Sequence, residues 1–222
     1  RRPGMYIGGT DETALHHLAA EVLDNAMDEA VAGHASTIDV TLDAGNRLTI
    51  RDNGRGIPVD PHPRFPDRSA LEVILTTLHA GGKFSGKAYA TSGGLHGVGS
   101  SVVNALSSRM DVEIARDRAI WQQAYERGLP VTPLEKTGAT QNRRGTQIAF
   151  VPDTQIFGTH HFVPARLYKL CRSKAFLFRG VTIRWTCDPT LIKSGDDTPT
   201  EAVLHFPGWL AGSLTDELGA HC

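Results

Sequence analysis

TIDVTLDAGNRLTIRDNGRGIP, residues 37–58, holds two alternating runs on either side of a turn signal. TIDVTL (37–42) and RLTIRD (47–52) place an apolar residue at every second position, and DAGN (43–46) lies between them. Alternation of period two reads as a strand with one buried face, so the segment is a hairpin. Leu48, Ile50 and Asp52 then share a face, which aims a carboxylate where its apolar neighbours point. A buried carboxylate without a partner is costly. Asp52 therefore needs a donor from the protein, from water or from a ligand.

The exocyclic amino group of adenine is one suitable donor. Gly54 and Gly56 let the backbone turn tightly and come close to a flat ring, although Asp-Asn-Gly is also a strong signal for a plain turn.

Before the hairpin, Thr10, Asp11 and Glu12 predict a capped helix start and Gly33 a stop. On that helix Asp28, Glu21, Asn25 and Glu29 fall within an arc of about 100°. Leu15, Ala19, Val22, Leu23, Ala26 and Ala30 cover the next arc, ready to pack on a sheet. The acidic stripe is either a solvated face or a ligand set. Solvated helices usually alternate charge at i,i+4, yet no Lys or Arg occurs from Pro3 through Asn46. Asn25, one turn after Glu21, offers an oxygen to a hard cation beside a candidate base.

After the hairpin come a proline-rich loop (Pro61, Pro63, Pro66), a helical pattern over 69–79, and the glycine-rich stretch 81–99. A helix follows over 98–107, then strands DVEIA, AIWQQAYE and TQIAFV, a helix near 163–176, strands at 181–185 and 201–206, and a short final helix. The pattern predicts an α/β two-layer sandwich, a mixed and mainly antiparallel sheet with helices packed on one face.

Net charge is −1, against the strongly basic balance of a domain that grips DNA. Three widely spaced cysteines fit neither a disulfide framework nor a zinc knuckle and read as thiols of a reducing cytoplasm. No apolar run reaches the roughly 20 residues of a membrane span.

Gly81–Lys87 matches the first seven places of G-x-x-x-x-G-K-[ST], but Ala88 stands where a hydroxyl is required and residues 70–80 read as helix rather than strand. That argues against a P-loop phosphotransferase. Gly94, Gly97 and Gly99, opening a helix, free backbone amides to converge on an anion at its positive end. Adjacent His16 and His17 point to different faces and, like His160 and His161, read as surface residues.

Glu21…Asn25, Asp52-x-Gly54-x-Gly56, Gly94-Leu95-His96-Gly97-Val98-Gly99 and Gly145-Thr146, in that order, resemble the ATPase superfamily shared by DNA gyrase, the Hsp90 chaperones, histidine kinases and MutL. RRPGMYIG, EVLDNAMDEA, DNGRGIP, LHAGGKF and SGGLHGVGSSVVNALS are similar to the B subunit of bacterial type IIA topoisomerases. KFSGKAYATSGG is more similar to the topoisomerase IV version of that subunit than to the gyrase one.

The resemblance implies a Bergerat-type ATP-binding fold and ATP-driven strand passage, with supercoiling as the gyrase alternative. A nucleotide-gated dimerisation clamp with little chemistry is the non-enzymatic alternative, one that would not require Glu21. By resemblance Glu21 is the general base and Asn25 the Mg²⁺ ligand. Asp52 accepts the adenine amino group, supported by Thr146 through a water. Arg55, Gly56 and Pro58 flank the purine, and Ile57 and Ile74 line the floor. Lys83 and the segment Gly94, Leu95, His96, Gly97, Val98 and Gly99 hold the phosphates. Arg116 guards the mouth of the pocket, where adenine-site inhibitors would compete. Ser100 stands where relatives commonly have an apolar residue.

The same resemblance implies that residues 1–222 form one N-terminal domain cut from a longer protein, without its N-terminal arm, transducer and DNA-cleavage domains. The expectation is a monomer that hydrolyses ATP poorly by itself. The topoisomerase A subunit and duplex DNA are implied as partners of the longer protein.

Overall fold

The structure, a computed structural model, describes residues 4–77 and 99–207. A short helix α1 (Gly4–Ile7) leads into α2 (Glu12–Val31). Asp11, rather than the predicted Thr10, caps α2, accepting the Ala14 N–H at 2.8 Å. A carboxylate at that position satisfies an orphan amide and also complements the helix dipole.

The predicted hairpin is β1 (Thr37–Asp43) and β2 (Arg47–Asp52), in a register that sets Ile38 opposite Asp52. The proline-rich loop contains a small hairpin, β3 (Pro61–His62) and β4 (Phe65–Ser69), mostly exposed but buried at His62, which the prolines hid from a sequence reading. Ser69 then caps α3 (Ala70–Thr76) by accepting the Glu72 N–H.

Helix α4 (Gly99–Ala105) runs almost directly into β5 (Ser107–Arg116), which starts three residues before the predicted strand at 110. Then come β6 (Ala119–Glu126), β7 (Leu129–Pro130), β8 (Glu135–Ala139) and β9 (Gly145–Pro152). β7 and β8 were not predicted, because one is too short and the other too polar to show a period. The turn α5 (Thr154–Phe157), helix α6 (Pro164–Leu177), β10 (Thr182–Cys187) and β11 (Glu201–Leu204) complete the described chain. The predicted final helix and the end of the helix over 69–79 lie outside the described residues.

The main sheet runs β11-β10-β1-β2-β9-β5-β6-β7, with β8 also pairing β6. Among the described strands only β1 and β10 pair in parallel. The sheet is therefore mixed and mainly antiparallel, as predicted.

One face carries Ile38, Val40, Leu48, Ile50, Val112, Ile148, Phe150 and Trp185, all buried with Leu15, Leu18 and Leu23 of α2. Each such side chain contributes about 1.5–3 kcal/mol by leaving water. The opposite face is lined with ion pairs, Arg47–Asp111 at 2.9 Å, Arg143–Glu113 and Arg184–Asp39. This asymmetry holds the helices on one side. It also sets the end of β2, where Asp52 closes the strand, beside the polar stripe of α2.

Candidate active site

Three side chains of α2, four residues apart, meet three separate partners. Glu21 lies against the first residue of α4, where a β-carbon on Gly99 would overlap its Oε2. A side chain at position 99 would displace the carboxylate from this place. The Asn25 amide, exposed, donates from Nδ2 to Ser100 Oγ at 2.7 Å. Glu29 accepts from Arg55 three times, from its backbone N–H at 3.0 Å, its Nε at 3.2 Å and its Nη2 at 2.6 Å. Burial pushes the Glu29 carboxyl up, but the Arg55 bonds outweigh it and hold the group below the ordinary carboxylate range.

The stripe is thus only partly solvated: Asn25 is exposed, whereas Glu21, Asp28 and Glu29 are half-buried. Asp28 leaves it toward α6: burial, then the charges of Asp24 and Glu29, push its carboxyl up, and Lys174 opposes them. Asp24 pairs with that Lys174 at 2.5 Å.

The second wall is the turn after β2. Asp52 is 7% exposed, and its Oδ1 accepts the Gly54 N–H at 2.8 Å and, at the limit of a hydrogen bond, the Thr146 N–H at 3.5 Å. Among the described residues both bonds go to Oδ1, so Oδ2 keeps its acceptor capacity. Burial pushes the Asp52 carboxyl up to about 6, against the pull of the Gly54 N–H. Thr146 enters through the β5–β9 register, opposite Ile114, and its Oγ1 accepts the Ile57 N–H at 3.1 Å.

Arg116 Nη1 donates to Gly56 O at 2.8 Å and to Arg55 O at 3.4 Å. The guanidinium predicted to guard the mouth thus donates to the carbonyls of the turn, and its Nε lies 3.5 Å from Asp117 Oδ2. Ile57, Pro58 and Ile74 are half-buried, and Ile57 packs against the core. Lys83, Gly94, Leu95, His96, Gly97 and Val98 lie outside the described residues.

Sequence reasoning missed the braces of this turn. Asn53 Oδ1 accepts the Ser36 N–H at 2.8 Å and the Thr37 N–H at 3.0 Å, while its Nδ2 donates to Ser36 Oγ at 2.9 Å. Arg144 donates to Asn53 O at 3.1 Å and His34 O at 2.8 Å. The only sequence signal was the Asp-Asn-Gly turn itself.

His16 is a correction: it is buried, not at the surface. It lies within 2.7 Å of Glu12 O through Nδ1, and its Nε2 accepts the Val163 N–H at 2.9 Å. An Nε2 that accepts an N–H carries no proton and burial lowers the ring's pKa, so His16 braces α2 against the start of α6. His17, His160 and His161 are exposed as expected.

Among the described residues no cluster of three or more His, Cys, Asp or Glu is arranged to hold a metal. A hard cation here would rest on a single carboxamide and on oxygens that a ligand brings, a pattern that suits Mg²⁺. Asn25 fits that demand, because its Nδ2 is occupied and its Oδ1 is not used among the described residues.

A buried acceptor thus closes β2, and a carboxylate and a carboxamide stand one helical turn apart on α2. The chain belongs to the histidine kinase-, DNA gyrase B- and HSP90-like ATPases, whose family model matches residues 10–156. It is 61% identical over 217 residues to the B subunit of DNA topoisomerase 4 from Caulobacter vibrioides, covering 97% of this chain and 31% of the relative. It is 54% identical over 184 residues to the B subunit of DNA gyrase from Thermotoga maritima, covering 83% of this chain and 29% of the relative. The fold is that of the 43K ATPase domain of Thermus thermophilus gyrase B, solved in complex with an aminocoumarin. The TM-score is 0.81 at 38% identity, covering 98% of this chain and 52% of that one. The chain spans about a third of the length of the curated relatives it matches. Among the described residues no helix is long and apolar enough to cross a membrane.

Proposed function

We propose that this chain is the ATP-binding and ATP-hydrolysing domain of the B subunit of a type IIA DNA topoisomerase, of the topoisomerase IV kind. The longer protein would act with an A subunit on duplex DNA in the cytoplasm. The observation that carries the reading is Asp52, a buried carboxylate whose Oδ1 is bonded by the Gly54 and Thr146 N–H groups and whose Oδ2 is not used among the described residues.

In this reading Asp52 Oδ2 accepts the adenine amino group, and the Gly56–Pro58 turn, held by Arg116 and Thr146, lies along the ring. Adenine-site competitors would use the same contacts. At the far end Glu21 takes a proton from the attacking water as general base. Asn25 Oδ1 and the nucleotide's phosphates would hold Mg²⁺, which offsets the charge that builds on the transferred phosphoryl group. Gly99 permits this arrangement by letting α4 begin against Glu21. The topoisomerase IV assignment is supported by 61% identity over 217 residues, against 54% over 184 for the gyrase relative.

Calorimetric titration with ATP and Mg²⁺ tests the reading. A charge-assisted hydrogen bond is worth about 1.5–3 kcal/mol, so Asp52→Asn should bind roughly ten- to a hundredfold more weakly. Equal affinities would refute the adenine assignment.

A further inference from the structure

Gly99 and Ser100, consecutive at the start of α4, meet Glu21 and Asn25, which stand one turn apart on α2. The first contact is permissive: a residue without a side chain makes room for a carboxylate. The second is directive. A carboxamide presents an oxygen on one side and an NH₂ on the other, and free rotation about its last bond interchanges them. Only the oxygen can bind a cation. The Asn25 side chain is exposed and joined to the rest of the protein through one hydrogen bond among the described residues, from its Nδ2 to Ser100 Oγ at 2.7 Å.

We infer that Ser100 is a positioning residue for metal binding: its hydroxyl engages the NH₂ of Asn25 and so turns Oδ1 toward the Mg²⁺ that accompanies the nucleotide. The inference rests on the proposed ATPase reading and extends it to a residue outside the ATP-contacting set. Apolar side chains at this position would leave the carboxamide to choose between two orientations, at the expense of metal affinity. A hydroxyl can accept from the NH₂ or donate to the oxygen; here it accepts from Nδ2, and holding that arrangement before the ligand arrives lowers the ordering cost of binding. Ser100 touches neither base nor phosphate in this scheme, so its effect should be confined to the metal.

The test uses the chain itself and the β,γ-imido analogue of ATP, so that binding is read without turnover. Calorimetry gives analogue affinity with EDTA, and a Mg²⁺ titration at fixed analogue gives the metal midpoint. A neutral hydrogen bond of this kind supports a change of roughly three- to tenfold. Ser100→Ala and Ser100→Val should each raise the Mg²⁺ midpoint by about that factor, with metal-free affinity unchanged within about twofold. Ser100→Thr, which keeps the hydroxyl, should restore the native midpoint. An unchanged midpoint in Ser100→Ala overturns the inference while leaving the ATPase reading standing. So does an equal loss with and without Mg²⁺, which would mark Ser100 as a structural part of the pocket. Absence of analogue binding by the native chain would instead overturn the ATPase reading, and this inference with it.

Discussion

Gly145 lies so close to the backbone of Asp52 that a β-carbon on it would overlap the Asp52 carbonyl oxygen. Its φ of +120° is also one that side-chain-bearing residues rarely adopt. The start of β9 can press against the end of β2 only on these terms, and Thr146, the next residue, thereby reaches the turn. Gly145→Ala should therefore destabilise the chain by about 2–3 kcal/mol and disturb the site at once. In a domain of this size that lowers the thermal midpoint by roughly 4–12 °C. A native-like midpoint in a melting experiment would contradict the close approach.

Asp52 makes the ligand-free protein less stable at neutral pH. Its carboxyl is raised from 3.8 to about 6 by burial, so between those values the folded state holds a proton that the unfolded chain has lost. The penalty is complete above about pH 6 and vanishes as the pH falls toward 3.8, and its size is about 3 kcal/mol. Asp52→Asn keeps an acceptor for the Gly54 N–H and removes the charge. Urea denaturation should show the variant more stable than native at pH 7, with the advantage shrinking at pH 5. A constant difference across that range would disprove the buried ionisation.

Glu29 has the opposite sign. Arg55 holds its carboxyl below the ordinary 4.5, so its contribution is present above that value and lost as the pH falls below it. Glu29→Gln should cost about 1 kcal/mol at pH 7, since both partners of the pair are mostly shielded from water. The cost should disappear in acid. Chemical denaturation at pH 7 and pH 3.5 reads both values, and a deficit that persists in acid would mean that packing, not charge, is lost.

Glu21→Ala separates binding from chemistry. General-base catalysis contributes about a hundred- to ten-thousandfold, so phosphate release should fall at least about a hundredfold while ATP affinity stays near native. A dimerisation clamp without chemistry predicts no change in whatever turnover the native chain shows. The two are distinguished by a coupled phosphate-release assay beside calorimetry.

The architecture was legible where a period was long enough to count. Six alternating residues on each side of DAGN gave the hairpin and, through the same alternation, the inward aim of Asp52. Strand β8, with Glu135 and Lys136 opening it, carries no apolar rhythm, and it pairs with β6 through backbone bonds that any sequence could make. The role of Glu29 was hidden because its partner Arg55 is 26 residues away across a turn. His16 was misplaced for the same reason: its second partner, Val163, lies 147 residues downstream. Residue types drew attention to Glu21, Asn25 and Asp52, whereas the contacts that orient them are long-range and needed the fold.

Helix α2 also acts as a spacer of fixed length. Glu21, Asn25 and Glu29 touch α4 and the β2 turn at steps of about 6 Å along one axis. One residue inserted between Glu21 and Glu29 would swing everything beyond it by about 100° and take one end of the row out of contact. The same insertion in the DAGN turn would lengthen an exposed loop and leave the row untouched. Length is therefore negotiable at the edge of this molecule and forbidden across those nine residues, whatever amino acids fill them.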